Sequence, residues 1–391
     1  ELQDGEEIMM PFSFDYDSID RPMLPCHITW TNERTHEIIR ANIHRSPLYG
    51  GKIVGKGPRY CPSIEDKVVR FPDRERHQIF VEPEGEGTEE MYLNGISSSL
   101  PEDVQWDFIH SIEGLEDAQI MRPAYAVEYD FIDPQALYPS LESKLVENLF
   151  IAGQTNGTSG YEEAACQGLM AGINAAQKLK GEKPLVLSRN EAYTGVLIDD
   201  LVTMGTQEPY RMFTSRAEYR LNLRHDSCDQ RLTQKGYAVG LQKQENLERL
   251  QAKLERMETV KELLAKRRMG EKSALQTLKM PEITIADLEA QMPELSSFEQ
   301  PILYQVELDV KYEGYINRQE RQINRFEKLE SLVIDALMDY DAVEGLSAEG
   351  REKLKKIRPL SVGQASRING VRNSDIAVLI LHLDRGGRHG K

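Results

Sequence analysis

A cysteine set among cations is the residue of this sequence best placed for covalent chemistry. Cys61 stands in the run Gly57, Pro58, Arg59, Tyr60, Cys61, Pro62, Ser63, Ile64, Glu65, Asp66, Lys67, Val68, Val69, Arg70, Phe71. Arg59, Lys67 and Arg70 flank the thiol, and nearby cations favour the thiolate. Pro62 and Ser63 open a predicted helical turn, which puts Cys61 near a helix N-terminus with the same effect. A thiolate there can add to C6 of a uracil ring and activate C5 towards an electrophilic carbon. The alternative is a structural free thiol in a turn, with the basic residues paired to Glu65 and Asp66.

A second chemical unit begins at Asn148. Asn148 to Ala152 reads as a short apolar strand that ends in Gly153. Gly153, Gly157 and Gly160 then cluster before a helix. Glycines let a ligand approach the backbone, and a helix N-terminus offers free N–H groups to polar or anionic cofactor atoms. Ala164, Ala165, Gly168, Ala171, Gly172 and Ala175 leave that helix almost bare of side chains, suited to close packing on a sheet or cofactor. A plain crossover with tight packing is the other reading. The unit resembles the last strand and helix of flavoprotein oxidoreductases, with Gln154 where an acidic residue is usual. No G-x-G-x-x-G follows a predicted strand. A dinucleotide fingerprint is therefore expected upstream of Glu1, if the flavin reading holds.

The third unit is cationic. Arg211, Arg216, Arg220 and Arg224 recur at four- or five-residue intervals, interleaved with Tyr210, Phe213 and Tyr219. Helical or extended, they make one strip. Guanidinium forks suit phosphates, and aromatics can stack unpaired bases. Salt bridges to Glu208, Glu218 and Asp226 are the competing use.

Four blocks together resemble the MnmG (GidA) family of bacterial tRNA wobble-uridine modification enzymes. They are Gly57 to Phe71; Gly153-Gln154-x-Asn156-Gly157-Thr158-x-Gly160-Tyr161-Glu162-Glu163-Ala164-Ala165; Glu208 to Arg220; and Gly363-Gln364-Ala365-Ser366-Arg367-Ile368. The resemblance implies that the first block binds NADH and that Cys61 is catalytic. It implies flavin (FAD) contacts at Gln154, with Gly153, Asn156 and Gly157 beside it. A second family cysteine belongs to an N-terminal Rossmann portion expected upstream of residue 1, so the chain reads as the C-terminal part of a longer product. The implied reaction uses FAD, NADH and methylenetetrahydrofolate. It installs an aminomethyl or carboxymethylaminomethyl group at C5 of the wobble uridine of certain tRNAs. Implied partners are tRNA, the GTPase MnmE in a heterotetramer, and a second copy in a homodimer. Two other readings stay open: a non-catalytic tRNA- and MnmE-binding fragment, and the sister family of folate- and FAD-dependent tRNA uridine C5-methyltransferases.

These groups need a scaffold. Residues 1–190 read as the remainder of an α/β FAD-binding domain, Rossmann-like and of glutathione-reductase type, with an inserted segment. Residues 191–305 read as a helical domain and 306–391 as a C-terminal helical subdomain for tRNA or partner binding. Strands are expected at Cys26 to Thr31 and Gln78 to Glu82, turns at 83–85 and 94–95, and a helix at Glu102 to Ile112 after Pro101. Leu247, Leu250, Leu254, Met257 and Leu264 follow three–four spacing, with Lys261 interrupting the seam. That is an amphipathic helix. Residues 270–300 read as a connector with short helices, Ile316 to Val333 as a long helix, and the end as two short helices split by Asn369-Gly370. Ser361 and Ser374 are expected N-caps.

Bulk composition constrains the rest. The chain has 391 residues, 40% hydrophobic and 29% charged, which suits two or three globular domains. The longest apolar run, Ile376 to Leu383, is too short for a bilayer, and residues 1–5 have no signal-peptide character. The four cysteines (Cys26, Cys61, Cys166, Cys228) form no C-x-x-C pair and no zinc spacing, which suits a reducing cytoplasm and no metal. The net charge of −16 argues against a polyanion, but its distribution does not. From Arg351 onward ten Lys or Arg face three acids. Arg351, Lys355, Arg358 and Arg367 are therefore added to Arg211, Arg216, Arg220 and Arg224 as candidate tRNA contacts; the bland alternative is a solvated helical face.

Overall fold

The structure is a computed structural model of the 391-residue chain, and it describes all residues except 1, 4–10, 17, 20, 22, 52–62, 127–128 and 390–391. The chain divides into two compact units. One is Glu1–Phe131 with Thr158–Gly160 and Gln207–Tyr210; the other is Ile132–Gly157, Tyr161–Thr206 and Arg211–Lys391.

The first unit is built on an antiparallel sheet of β1 (Leu2–Gln3), β2 (Cys26–Trp30), β3 (Gln78–Pro83) and β4 (Met91–Asn94), in that spatial order. The register pairs Ile28 with Phe80 and Val81 with Leu93. Gly95, just past β4, has φ +98°, and a Cβ there would stand 2.8 Å from the Gln78 carbonyl oxygen, so only glycine fits. Three helices belong to this unit: α1 (Glu33–Asn42), α2 (Ile64–Arg70) and α3 (Glu102–Ile109). Asn32 starts α1 through a capping box with Thr35. The apolar core joins Ile39 of α1, Ile64 and Val68 of α2, Ile79 of β3, and Val104 and Phe108 of α3.

The second unit is mainly helical. It holds α4 (Tyr161–Leu179), α5 (Tyr193–Asp199), α6 (Cys228–Ala238), α7 (Gln244–Lys266), α8 (Ala274–Leu278), α9 (Ile285–Glu289), α10 (Gln300–Glu330), α11 (Ala348–Ile357), α12 (Val362–Ser366) and α13 (Asn373–His389). A two-residue-strand hairpin, β5 (Arg268–Met269) with β6 (Lys272–Ser273), interrupts the helices. Two cores are separate in sequence. One packs Met257, Val260 and Leu264 of α7 on Leu303, Val306 and Val310 of α10. The other closes the C-terminal bundle around Tyr340, Leu354, Val362 and Leu379. A mixed α/β part followed by a helical part is thus the architecture, as the sequence implied.

Four local expectations change. Asn148 to Ala152 does not become a ladder strand: Phe150 makes an isolated antiparallel bridge to Glu142, and Ile151 N–H donates to Leu141 O. The pairing stops there because Asn148 is left-handed, at φ +65°. The apolar seam of α7 is buried only in its second half, since Leu254 is exposed while Met257 and Leu264 lie beneath α10. The long helix ends at Glu330, so Val333 lies outside it and is exposed. Finally, Ser361 caps α12 as expected, but Ser374 lies inside α13, whose 17 residues are not short.

Candidate functional site: a glycine turn tied to an arginine segment

In the second unit, Gly153–Asn156 forms a tight 3-10 turn closed by Gly157. Gly153 and Gly157 are both left-handed, at φ +73° and +84°. Side chains of α4 lock the turn from below. The Gln167 side-chain oxygen accepts from Gly153 N–H at 3.2 Å and from Asn156 Nδ2 at 2.8 Å. Glu163, four residues earlier and so on the same helical face, is buried. Its Oε1 accepts Met212 N–H at 3.0 Å and lies 3.5 Å from Arg211 Nε. One face of α4 therefore holds both the glycine turn and the start of the arginine segment. Two buried acceptors at this place have no partner among the described residues: Asn156 Oδ1 and Glu163 Oε2. Such orphans are rare and mark places where a donor is expected.

The arginine segment is neither a helix nor a strand. It is a chain of turns with a short 3-10 piece at Thr214–Arg216. The four arginines consequently do not form one strip. Arg211, Arg216 and Arg220 keep exposed or half-exposed side chains, with Arg216 Nε donating to Arg211 O at 2.8 Å. Arg224 turns inward onto Asp226 (3.1 Å) and Asp309 (3.4 Å). The competing use expected from the sequence, ion pairing to Asp226, is thus realised for Arg224.

Glu218 is taken by a residue that sequence reasoning missed. Arg189 is nearly fully buried and donates to Glu218, to Asp199 at 3.0 Å and to Asp200 at 2.5 Å. Burial works against its charge, but Asp200, Glu218 and Asp199 outweigh it and raise its pKa above the ordinary arginine value. Arg367 joins the same network. It spans both oxygens of Asp199, at 2.6 and 2.7 Å, and reaches Glu330 of α10. The last of the four sequence blocks is therefore tied to the third through Asp199. Nothing in the spacing of Arg189 singled it out.

Two of the remaining tail candidates are occupied with backbone. Arg351 donates to Asp341 O and Val343 O, and Arg358 donates to Met338 O at 2.6 Å. Lys355 pairs with Asp341 at 2.5 Å and stays exposed. Lys144, which carried no sequence signal, donates to Gln135 O and to Ile357 O at the C-terminus of α11. Burial pulls its pKa down to about 8.

In the first unit, Gly57, Pro58, Arg59, Tyr60, Cys61 and Pro62 lie outside the described residues. The rest of that stretch is the start and body of α2. Ser63 caps it by accepting Asp66 N–H at 3.3 Å, as its place before the helix suggested. Glu65 is fully buried and held by Ser98 Oγ (3.0 Å), Ser99 N–H (2.8 Å) and Ser99 Oγ. Asp66 accepts from Tyr49 OH at 2.8 Å. Burial first, then Asp66, pushes the Tyr49 pKa up to about 12. Lys67 Nζ donates to Gly95 O at 2.7 Å. Ile64 and Val68 are core, whereas Val69, Arg70 and Phe71 are exposed. Hydroxyls and a backbone N–H thus hold both acids.

A glycine turn on a small-residue helix, in a mixed α/β body carrying a long helical extension, defines the class: an α/β protein with a C-terminal helical domain and bundle. Comparison with known proteins narrows it. Residues 1–183 match the family model "Glucose inhibited division protein A". Residues 236–320 match the MnmG/GidA C-terminal helical domain, and 322–391 match the MnmG/GidA C-terminal helical bundle of the tRNA modifying enzyme. The chain belongs to the MnmG/GidA family. It is 57% identical, over 98% of its length, to a Borrelia garinii protein named tRNA uridine 5-carboxymethylaminomethyl modification enzyme MnmG, and 54% identical to the Geobacter sulfurreducens protein of that name over 97%. It covers 64% of each of those relatives. Aquifex aeolicus GidA in its form I crystal superposes with a TM-score of 0.89 at 46% identity, covering 98% of this chain and 65% of that one. Among the described residues, no helix is long and apolar enough to cross a membrane.

Proposed function

We propose that this chain is part of a flavin-dependent tRNA-modifying enzyme that acts at C5 of the wobble uridine. The observation that carries the flavin assignment is the Asn156 side-chain oxygen, fully buried and without a partner at the end of a turn made of two left-handed glycines. Gly153, Gln154, Asn156 and Gly157 would hold FAD, whose ring carries an N–H suited to such an acceptor. When bound, FAD supplies two-electron redox chemistry. The residues of this chain do the positioning: Gln167 fixes the turn, and Glu163 fixes Arg211 beside it.

The names of the relatives support tRNA as substrate and a carboxymethylaminomethyl product. Arg211, Arg216 and Arg220 are the arginines proposed to meet RNA phosphates, because their side chains stay exposed or half-exposed. In the proposed reaction the Cys61 thiolate adds to C6 of the uracil. C5 then attacks the methylene carbon of methylenetetrahydrofolate, the C5 proton leaves, tetrahydrofolate departs from that carbon, ammonia or the amine of glycine adds in its place, and the thiolate is expelled. NADH is proposed as reductant. Among the described residues of its candidate stretch, Ser63–Phe71, no buried side-chain nitrogen or oxygen lacks a partner. The GTPase MnmE and a second copy of the chain are proposed partners.

Two measurements test the reading. The purified chain, supplied with FAD and freed of excess, should retain flavin absorbance at one equivalent per chain. A colourless protein that still shifts tRNA would instead make it a binding module. In cells whose sole source of the activity carries Cys61→Ser, tRNA nucleoside analysis should find the wobble uridine unmodified; normal modification removes Cys61 from the mechanism.

A further inference from the structure

Lys261 breaks the apolar seam of α7, and the structure gives it a place. It lines a half-open cleft of about 330 Å³ between the Leu221–Gln230 segment and helices α7, α8 and α10. The size is at the small end of ligand pockets. Its walls are apolar at Leu221, Leu275, Val310 and Ile316 and polar elsewhere.

The polar groups are of both kinds. Asp309 accepts from Gln305 Nε2 at 3.0 Å, Lys261 Nζ at 3.2 Å and Arg224 Nη2 at 3.4 Å. Asp309, together with Asp226 on Arg224, therefore balances the two cations that line the cleft. Glu313 adds a second carboxylate at the wall, paired with Lys279 at 2.5 Å. A phosphate would meet two acids and no unneutralised cation, so an anion is a poor occupant. Gln230 also lines the cleft, and its Nε2 is buried without a hydrogen-bond partner. A donor in that state carries a desolvation cost that a ligand acceptor would relieve.

We propose that this cleft receives an unpaired nucleobase of the bound RNA. A base is flat and neutral and offers donors and acceptors on one edge, which matches apolar walls, carboxylate acceptors and an idle amide donor. The occupant is argued from chain continuity: Arg216 and Arg220 lie on the same segment that runs on through Leu221 and Asn222 into the cleft lining. Phosphate-seeking arginines thus lead directly to a base-sized recess. This rests on the proposed tRNA function.

The test uses the full chain, unmodified tRNA, and the nucleosides adenosine, guanosine, cytidine and uridine, which carry no phosphate. Gln230→Leu removes the idle amide. Asn317→Trp, at an exposed position on α10, fills the mouth from outside the core. At least one nucleoside should bind the parent chain, seen by saturation-transfer NMR, and be lost in both variants. tRNA affinity should fall about tenfold in each, the worth of one well-made buried hydrogen bond. Gln230→Leu should leave the denaturation midpoint unchanged or raised; a lowered midpoint means that the amide is structural and overturns the assignment. Undiminished tRNA binding by both variants also overturns it while leaving the tRNA reading intact. A parent chain that binds nucleosides but not tRNA overturns the RNA occupant and the tRNA reading together.

Discussion

Arg367 grips Asp199 with two parallel hydrogen bonds, Nε to Oδ2 at 2.6 Å and Nη2 to Oδ1 at 2.7 Å, across 168 residues of chain. Arg189 donates to the same Oδ2 at 3.0 Å. One carboxylate at the end of α5 thus serves two guanidinium groups from distant segments, and Glu330 completes the pairing of Arg367. Both oxygens are satisfied and both arginines are largely buried. The worth of such a pair lies less in its formation than in what remains when half is removed.

Removing one partner should therefore cost more than removing both. Arg367→Met leaves Asp199 and Glu330 facing burial with fewer donors, and should destabilise the chain by about 3–5 kcal/mol. Asp199→Asn should cost a similar amount, since it weakens both guanidinium contacts at once. The Arg367→Met, Asp199→Asn double variant should recover part of the loss. Urea denaturation of the four proteins supplies the cycle, and additive losses would show that the two residues act independently.

The legible parts of this fold are those in which local chemistry decides. Ser361 was readable as a cap because a hydroxyl before a helix has one satisfactory use, and the helix start at Ser63 was readable too. The strands at Cys26 and Gln78 were readable from β-branched and aromatic runs. Ser374 misled because Asn373 had already begun the helix. The Arg211–Arg224 strip was not readable, because regular spacing becomes a shared face only if the backbone is regular, and here it turns repeatedly. Arg189 and Lys144 were invisible for another reason. Each is defined by partners far away in sequence, Glu218 for one and Ile357 O for the other, and no local pattern encodes those meetings. Within the site, Gln167 was missed although its four-residue spacing from Glu163 was in view, since only the fold shows that both point at the glycine turn.

Stability should also fall on mild acidification, and the first unit gives the reason. His36 and His77 stack at 5.3 Å between ring centroids, with His36 Nε2 at 2.8 Å from Thr31 Oγ1. Burial first, then Arg40, lowers the pKa of His36; burial first, then His36 itself, lowers that of His77. The unfolded chain holds these imidazoles at the ordinary histidine value of 6.5. Between that value and the lower folded ones the unfolded state binds more protons, so unfolding free energy rises with pH there. The stabilising difference is fully present above 6.5 and is lost as pH falls towards the folded values. Denaturation midpoints should drop from pH 7.5 to 5.5, and a His36→Gln, His77→Gln variant should drop less. An equal drop in both proteins would place the acid sensitivity elsewhere.

The glycine turn offers the sharpest separation of structural from ligand-directed roles. Gln167→Leu removes the oxygen that accepts both Gly153 N–H and Asn156 Nδ2, leaving two buried donors unmet. A loss of about 1–3 kcal/mol is expected in denaturation. Gly153→Ala forces an L side chain into φ +73°, at a cost of about 1–2 kcal/mol, although its Cβ would meet only Ala164 Cβ at an ordinary 3.5 Å. Asn156→Leu behaves differently. It deletes a donor already matched by Gln167, and with it an acceptor that has no partner among the described residues. The lost orphan offsets much of the lost bond, so stability should change less than in Gln167→Leu. Flavin retention should nevertheless fall most in Asn156→Leu, because that oxygen is the one without a protein partner. Equal flavin retention by Asn156→Leu and the parent would take Asn156 out of the proposed flavin contact.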